Sequence, residues 1–238
     1  MTDRTLPPPI LIGCAHGTRN PAGRATVQAL LRATADLGGL DVRAAFADAG
    51  VQRPSLPETL AALPSPSRAV VVPLLLGHGF HVSVDIETAA AAAPIPTITT
   101  PTLGPDPILA EVLRDRLTDC GATDSDDVVL AAVGSTRARA VADVERAARL
   151  LGERLGRPVP VGYLTTPPAL ADVVAGVRRR NHGRRIAVAL YLLAPSDLEA
   201  RARTAGADLV SAPLLPGADR VEPRIVQVLL NRYHHTPA

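Results

Sequence analysis

The chain contains no lysine: all 25 of its Lys+Arg positions are arginine. That absence removes whole mechanisms, because a Schiff-base enzyme, a lysine general base and a Walker-type phosphate loop all need the ammonium group. Tryptophan is missing too, and Tyr and Phe number only 3 and 2, so the stacking platforms of single-stranded nucleic-acid binders are not there. A formal net charge of +2 is likewise too small for a dedicated nucleic-acid binder. The two cysteines, Cys14 and Cys120, stand far apart with no CxxC spacing. A chain of 238 residues needs no disulfide staple, so both are expected to be reduced thiols. Nothing approaches ~18 uninterrupted apolar residues, and no membrane span is expected. Met1 to Pro9 is polar and proline-rich where a signal peptide would carry an apolar run, which points to the cytoplasm.

What is present is the material of a globular core: 47% hydrophobic and 20% charged residues. Short apolar runs alternate with longer amphipathic ones. Pro9 to Ala15, Leu40 to Ala47, Ala69 to Leu76 and Ile95 to Thr99 have strand length, and Val70-Val71-Val72 has the β-branching of buried parallel strands. Helix-like segments follow each of them: Pro21 to Leu37, Pro54 to Leu63, Val82 to Ala93 and Pro105 to Leu117, with Pro21, Pro54 and Pro105 at or near helix starts. The second half repeats the alternation. Strands are expected at Val128 to Val133, Val159 to Tyr163, Arg185 to Leu193 and Ala207 to Val210, and helices at Arg139 to Leu155, Pro167 to Arg180, Ser196 to Ala205 and Pro223 to Tyr233.

The halves also match residue by residue. Gly17-Thr18-Arg19 aligns with Ser135-Thr136-Arg137 at an offset of 118, which also sets Val70-Val71-Val72 on Val188-Ala189-Leu190. The fold expected is α/β: two similar lobes, residues 1–119 and 120–238, each a four-stranded parallel sheet flanked by helices, related by internal duplication and joined near Asp119 to Asp127. The first half holds 9 Arg against 11 Asp+Glu and the second 16 Arg against 12. The excess gathers at Arg178-Arg179-Arg180 and Arg184-Arg185, either as a solvated helix end or as a field for a polyanionic ligand.

Two histidines sit where an open α/β sheet places its ligands. His16 follows the first strand and His81 the third, both beyond carboxyl ends. With a strand order of 2-1-3-4 these loops meet at the topological switch point. Two neutral imidazoles suit Fe²⁺, Co²⁺, Ni²⁺ or Zn²⁺, and so few protein ligands make an open site rather than a structural one. His78 stands between glycines as a possible third ligand or a loop residue. Cys14 shares strand parity with His16, though a small buried thiol is the common use of such a position. Asp48, closing the second strand, has no evident capping job and could bind metal or accept a proton. Asp85 opens the next helix, where a carboxylate also favours the helix N-terminus. Gly17-Thr18-Arg19 leads into a helix and could hold a carboxylate, or Thr18 could simply cap it. His182, His234 and His235 are expected at the surface.

Three ordered motifs resemble the sirohydrochlorin chelatases, the CbiX/SirB-like class II chelatases. They are Ala15-His16-Gly17-Thr18-Arg19; the Val71 to Leu76 run followed by Gly79, His81, Asp85 and Ile86; and Phe46-Ala47-Asp48 followed by Arg53-Pro54-Ser55-Leu56. The resemblance is close over residues 9–118. It implies a lyase that inserts a divalent metal, Co²⁺ or Fe²⁺ with Ni²⁺ as a competitor, into sirohydrochlorin without nucleotide, for cobalamin or siroheme biosynthesis. It implies His16 and His81 as metal ligands. Asp48 matches the acid that the family carries after its second strand, often as Glu, and Asp85 matches the Asp of its D-I-P-like segment, with Glu87 in place of the proline. Thr18, Arg19 and Asp85 would meet the substrate, along with arginines of the second lobe. In that lobe the position matching His16 is Gly134, and the loop matching that of His81 begins Ala194-Pro195-Ser196, so neither histidine survives. The resemblance therefore implies one active site in a monomer with pseudo-twofold lobes, with no nucleic-acid or membrane partner. A histidine phosphatase would carry Arg immediately before His16, where this chain has Ala15. A metal or tetrapyrrole carrier using the same histidines is the alternative; it would bind without speeding insertion.

Overall fold

The structure, a computed structural model, describes residues 7–181 and 183–235, with the side chains of residues 80–83 outside the description. The first half runs β1 (Ile10–Ala15), α1 (Pro21–Gly38), β2 (Val42–Phe46), α2 (Leu56–Ala61), β3 (Ala69–Pro73), α3 (Phe80–Ala91), β4 (Thr97–Thr99) and α4 (Pro107–Asp119). The second runs β5 (Asp127–Ala132), α5 (Ala138–Leu155), β6 (Val161–Tyr163), α6 (Leu170–Arg180), β7 (Ile186–Leu190), α7 (Glu199–Arg203), β8 (Leu209–Val210) and α8 (Pro223–His234). The expected order is observed twice, as β2-β1-β3-β4 and β6-β5-β7-β8, every pairing parallel. β1, β3 and β7 are buried along their whole length. An inner parallel strand is covered on both faces, which is why these segments read as continuous apolar runs.

Helix starts follow local chemistry. Asn20 caps α1 by accepting from the Gly23 N–H at 3.0 Å, with Pro21 in first position. Pro54 and Pro105 lie just outside their helices, whose first turns carry Pro57 and Pro107 instead. The Ser55 hydroxyl accepts from the Glu58 N–H, and the Glu58 carboxylate accepts in return from the Ser55 N–H, a reciprocal cap for α2.

The two lobes exchange their last helices. α4 packs on α5 and β7 of the second lobe, while α8 packs on α1 and β3 of the first. One apolar cluster accordingly runs through both halves, with Leu11, Val70, Val72, Leu113, Leu130, Ala187 and Leu229 in it. Separate clusters cover the outer sheet faces under α2 and α3 and under α6 and α7. Each exchanged helix also carries an arginine that grips the opposite lobe. Arg116 of α4 donates to the Leu214 carbonyl at 3.2 Å and to Glu222 at 3.1 Å. Arg232 of α8 donates to the carbonyls of Thr102 and Leu103 at 2.9 and 3.1 Å and to Asp106 at 3.0 Å.

The ladders correct the repeat offset. Ile10 pairs with Ala69 and Asp127 with Ile186, so the true correspondence is one residue shorter than the sequence match suggested. Val71 then matches Val188, and Val133 rather than Gly134 is the counterpart of His16. Backbone bonds agree: Asp48 N–H donates to the His16 carbonyl, and Thr165 N–H to that of Val133.

Candidate metal site at the carboxyl ends of the first sheet

β1 delivers His16 at its carboxyl end, and the loop after β2 is tied to it there. The Ala47 N–H donates to the Ala15 carbonyl at 2.9 Å and the Asp48 N–H to the His16 carbonyl at 3.0 Å. Gly17 makes the turn that follows, at φ 106, a conformation that L side chains rarely adopt. The His16 ring is exposed and receives or donates no hydrogen bond among the described residues. His16, Asp48 and Asp85 line one cavity of about 790 Å³. Its opposite wall belongs to the second lobe and consists of Ser135, Thr136, Arg137 and Thr166. A more apolar cavity of about 540 Å³, bounded by Pro8, Leu40, Ile98 and Tyr233, lies at the amino ends of the strands and contains none of the expected site residues.

Several expectations change in detail. Asp48 does have a local role, since its carboxylate accepts from the Gly50 N–H at 2.9 Å and closes the turn after β2. One of its oxygens makes that bond, and the residue still faces the cavity. Asp85 does not open a helix, since α3 begins at Phe80 and has no acid in its first turn; it stands exposed in the second turn. Its place is therefore not explained by the helix dipole. Thr18 is not the cap of α1, a role Asn20 takes, and the Thr18 N–H is already bound to Gln52 Oε1 at 3.1 Å. Thr18 and Arg19 stand outside the cavity lining. His81 is the second residue of α3, and its side chain lies outside the described residues, as does His182. His235 bonds to Asn231 on the surface, and His234 is exposed.

Cys14 is fully buried, on the sheet face packed against Leu56, Leu60 and Ile86. Burial pushes its thiol up to about 12, so it remains a protonated core residue and not a thiolate ligand. His78 is not a metal ligand in this arrangement: both ring nitrogens are taken, Nδ1 by Asp143 at 2.7 Å and Nε2 by Arg139 at 3.0 Å. The basic cluster faces away from the cavity. Arg178 pairs with Asp208 at 2.9 Å, and Arg185 with Asp126 at 2.8 Å, at the end of α6 and the start of β7, the amino ends of the second sheet. Those arginines belong to a solvated helix end, and the second-lobe cation that does line the cavity is Arg137. Nothing in the sequence marked Thr166, and Arg137 appeared only in a repeat match that is one residue out of register.

Among the described residues no group of three His, Cys, Asp or Glu side chains is arranged to hold a metal ion. None of the helices among the described residues is long and apolar enough to cross a membrane.

The fold has solved relatives. SirB from Bacillus subtilis with Fe³⁺ superposes with a TM-score of 0.74 at 20% identity, over 96% of this chain and 95% of that one. SirB from Bacillus subtilis subspecies spizizenii in complex with cobalt gives 0.71 at 20% identity, over 96% and 94%. CbiX, described as the terminal enzyme for biosynthesis of siroheme in denitrifying bacteria, gives 0.68 at 20%, over 97% and 100%. At such identities the likeness is one of fold. Comparison with curated protein sequences gives no match. The family model of CbiX matches residues 10–120 and 127–201, most of the chain and parts of both lobes, and the chain belongs to the CbiX family.

Proposed function

We propose that the protein is a sirohydrochlorin chelatase that inserts a divalent metal into the macrocycle without nucleotide, as a monomer in the cytoplasm. The observation that carries this reading is the cavity shared by His16, Asp48 and Asp85, closed from the other side by the second lobe. Its volume suits a small-molecule site, and its one exposed imidazole has no competing partner among the described residues. The metal is a substrate here: it arrives hydrated and exchanges water for His16 and His81, both loops being at the switch point between β1 and β3. Borderline divalent ions fit such ligands, and Co²⁺, Fe²⁺ and Ni²⁺ all qualify.

Insertion releases two pyrrole N–H protons. Asp48, beside His16 and half-buried, accepts one of them in this reading, because a carboxylate facing a cavity can serve as a general base toward a bound ligand, and the other passes to a histidine or to water in the open cavity. Arg137 meets peripheral carboxylates of the macrocycle, since a guanidinium fork holds them bidentately. Asp85 contributes from α3 at the first-lobe side of the cavity, and Thr18 and Arg19, two and three residues after His16, would meet the part of the substrate that extends beyond the lining. The active site belongs to the first lobe, residues 1–119, and the second, residues 120–238, is a degenerate copy that serves as its wall. Cobalt insertion would feed cobalamin synthesis, and iron insertion siroheme.

The test is an insertion assay with sirohydrochlorin and Co²⁺, Fe²⁺ or Ni²⁺ in the absence of ATP. Acceleration well above the uncatalysed rate, lost in His16→Ala, is expected. Tight binding of metal and macrocycle with no acceleration would mark a carrier instead.

A further inference from the structure

The segment Gly77-His78-Gly79 links β3 to α3, whose second residue is His81. Two flanking glycines would leave such a loop conformationally free, yet it is fixed from the other lobe. On α5, Asp143 Oδ2 accepts from the His78 backbone N–H at 2.8 Å and from His78 Nδ1 at 2.7 Å. Arg139, one turn earlier on the same helix, donates to His78 Nε2 at 3.0 Å. A guanidinium has only donors, so Nε2 accepts and the ring proton sits on Nδ1, directed at the carboxylate. Gly77 allows this approach: a Cβ there would lie 3.2 Å from the Asp143 Cβ.

The residues of the clamp are not repeated in the duplicated half. The residue on α1 matching Asp143 is Thr26, whose hydroxyl is spent within its own helix on the Ala22 carbonyl. The matching loop, Ala194-Pro195-Ser196, has Pro195 where the first lobe has His78. That loop is tied across the lobes by a different contact, from Asn20 Nδ2 to Asp197 Oδ1 at 2.8 Å, so what is particular to the loop leading to His81 is a histidine ring held by Asp143 and Arg139.

We infer that Asp143, assisted by Arg139, is a positioning residue that holds the His78 loop so that His81 is presented to the metal from a fixed backbone. This rests on the chelatase reading, in which His81 is a metal ligand. Asp143 is not among the residues lining the cavity; it acts through the His78 ring and backbone, three residues from His81. The second lobe then contributes to metal capture as well as forming a wall.

The test is Co²⁺ titration of the purified protein alone, followed by the metal and macrocycle dependence of insertion, with His16→Ala in parallel. Asp143→Ala should weaken Co²⁺ binding and raise the metal KM by about 10-fold, the lower end of what outer partners of metal ligands contribute. The macrocycle KM should move less than about 2-fold. His78→Ala should resemble Asp143→Ala, whereas His78→Asn, whose amide N–H can replace Nδ1–H toward Asp143, should recover most of the affinity. Glu111→Gln breaks another inter-lobe ion pair, with Arg154 at 2.7 Å, and should leave Co²⁺ binding as in the wild type. Unchanged Co²⁺ affinity in folded Asp143→Ala overturns the inference, as does equal weakening by Glu111→Gln or no difference between His78→Asn and His78→Ala. If His16→Ala abolishes binding and Asp143→Ala does not, only the positioning role fails. If His16→Ala binds Co²⁺ normally, the chelatase reading fails and the inference falls with it.

Discussion

The loops after β1 and β5 follow one course and carry different chemistry. Ala15 and Ala132 accept from Ala47 and Leu164, and His16 and Val133 accept from Asp48 and Thr165, all at 2.9 to 3.0 Å. Gly17 and Gly134 then turn the chain at φ 106 and 108. The turn is thus set by the sheet and a glycine, independently of the neighbouring side chain. That leaves the outward position after the strand open to substitution without cost to the fold. The first lobe has an imidazole and a carboxylate there; the second has Val133, 43% exposed, and Thr165. The exchanged helices teach the converse, because their interior faces and their clamping arginines are matched in both halves.

The largest effect should come from splitting the outward pair. His16→Ala is expected to lower insertion by at least about 100-fold, since it removes a metal ligand and a group able to move protons, while Val133→Ala leaves the rate unchanged. Initial rates at saturating macrocycle read both. Next come the exchanged helices. Leu113→Ala on α4 and Leu229→Ala on α8, both fully buried, should each cost about 3–5 kcal/mol of unfolding free energy in urea titrations. A single transition is expected in both variants, because the cluster they share spans the two lobes.

The two clamps differ more subtly. Arg116 is 3% exposed and Arg232 23%, so Arg116→Met should cost about 3 kcal/mol and Arg232→Met roughly 1–2, again by urea titration. The smallest effect is a pH dependence. The hydrogen bond from Arg224, with help from Arg116, holds the Glu222 carboxyl below its ordinary value of 4.5. A depressed carboxylate stabilises the fold above its unfolded value, and that contribution is lost as pH falls through the folded one. Melting temperature should therefore drop as pH falls below about 4.5, and Glu222→Gln should flatten that drop.

Much of this was legible in the sequence. Apolar runs marked the inner strands because parallel strands are buried on both faces, and the order 2-1-3-4 followed from the usual way of winding such a sheet. The repeat was visible but misplaced by one residue, since Gly17 and Gly134 are the true match and the Thr-Arg similarity drew the alignment onto Ser135. Helix exchange was not legible: an amphipathic pattern says that α4 buries a face, and nothing in it says against which sheet. For the same reason the far wall of the cavity and the Asp143 clamp stayed hidden, as both depend on how the lobes dock. Asp85 was misjudged through a helix boundary, since α3 starts at Phe80, two residues before the expected Val82, whereas α1 starts at Pro21 as expected and is capped by the adjacent Asn20 instead of Thr18. The basic cluster was open to two readings because charge is visible in sequence, whereas its partners Asp126 and Asp208 are brought to it by the fold.

The central claim is that a duplicated fold keeps one metal site, in its first lobe. Co²⁺ titration of the protein, followed by calorimetry, tests it most directly. One ion per chain is expected, retained in Val133→Ala and lost in His16→Ala; two equivalent ions, or one that survives His16→Ala, would contradict it.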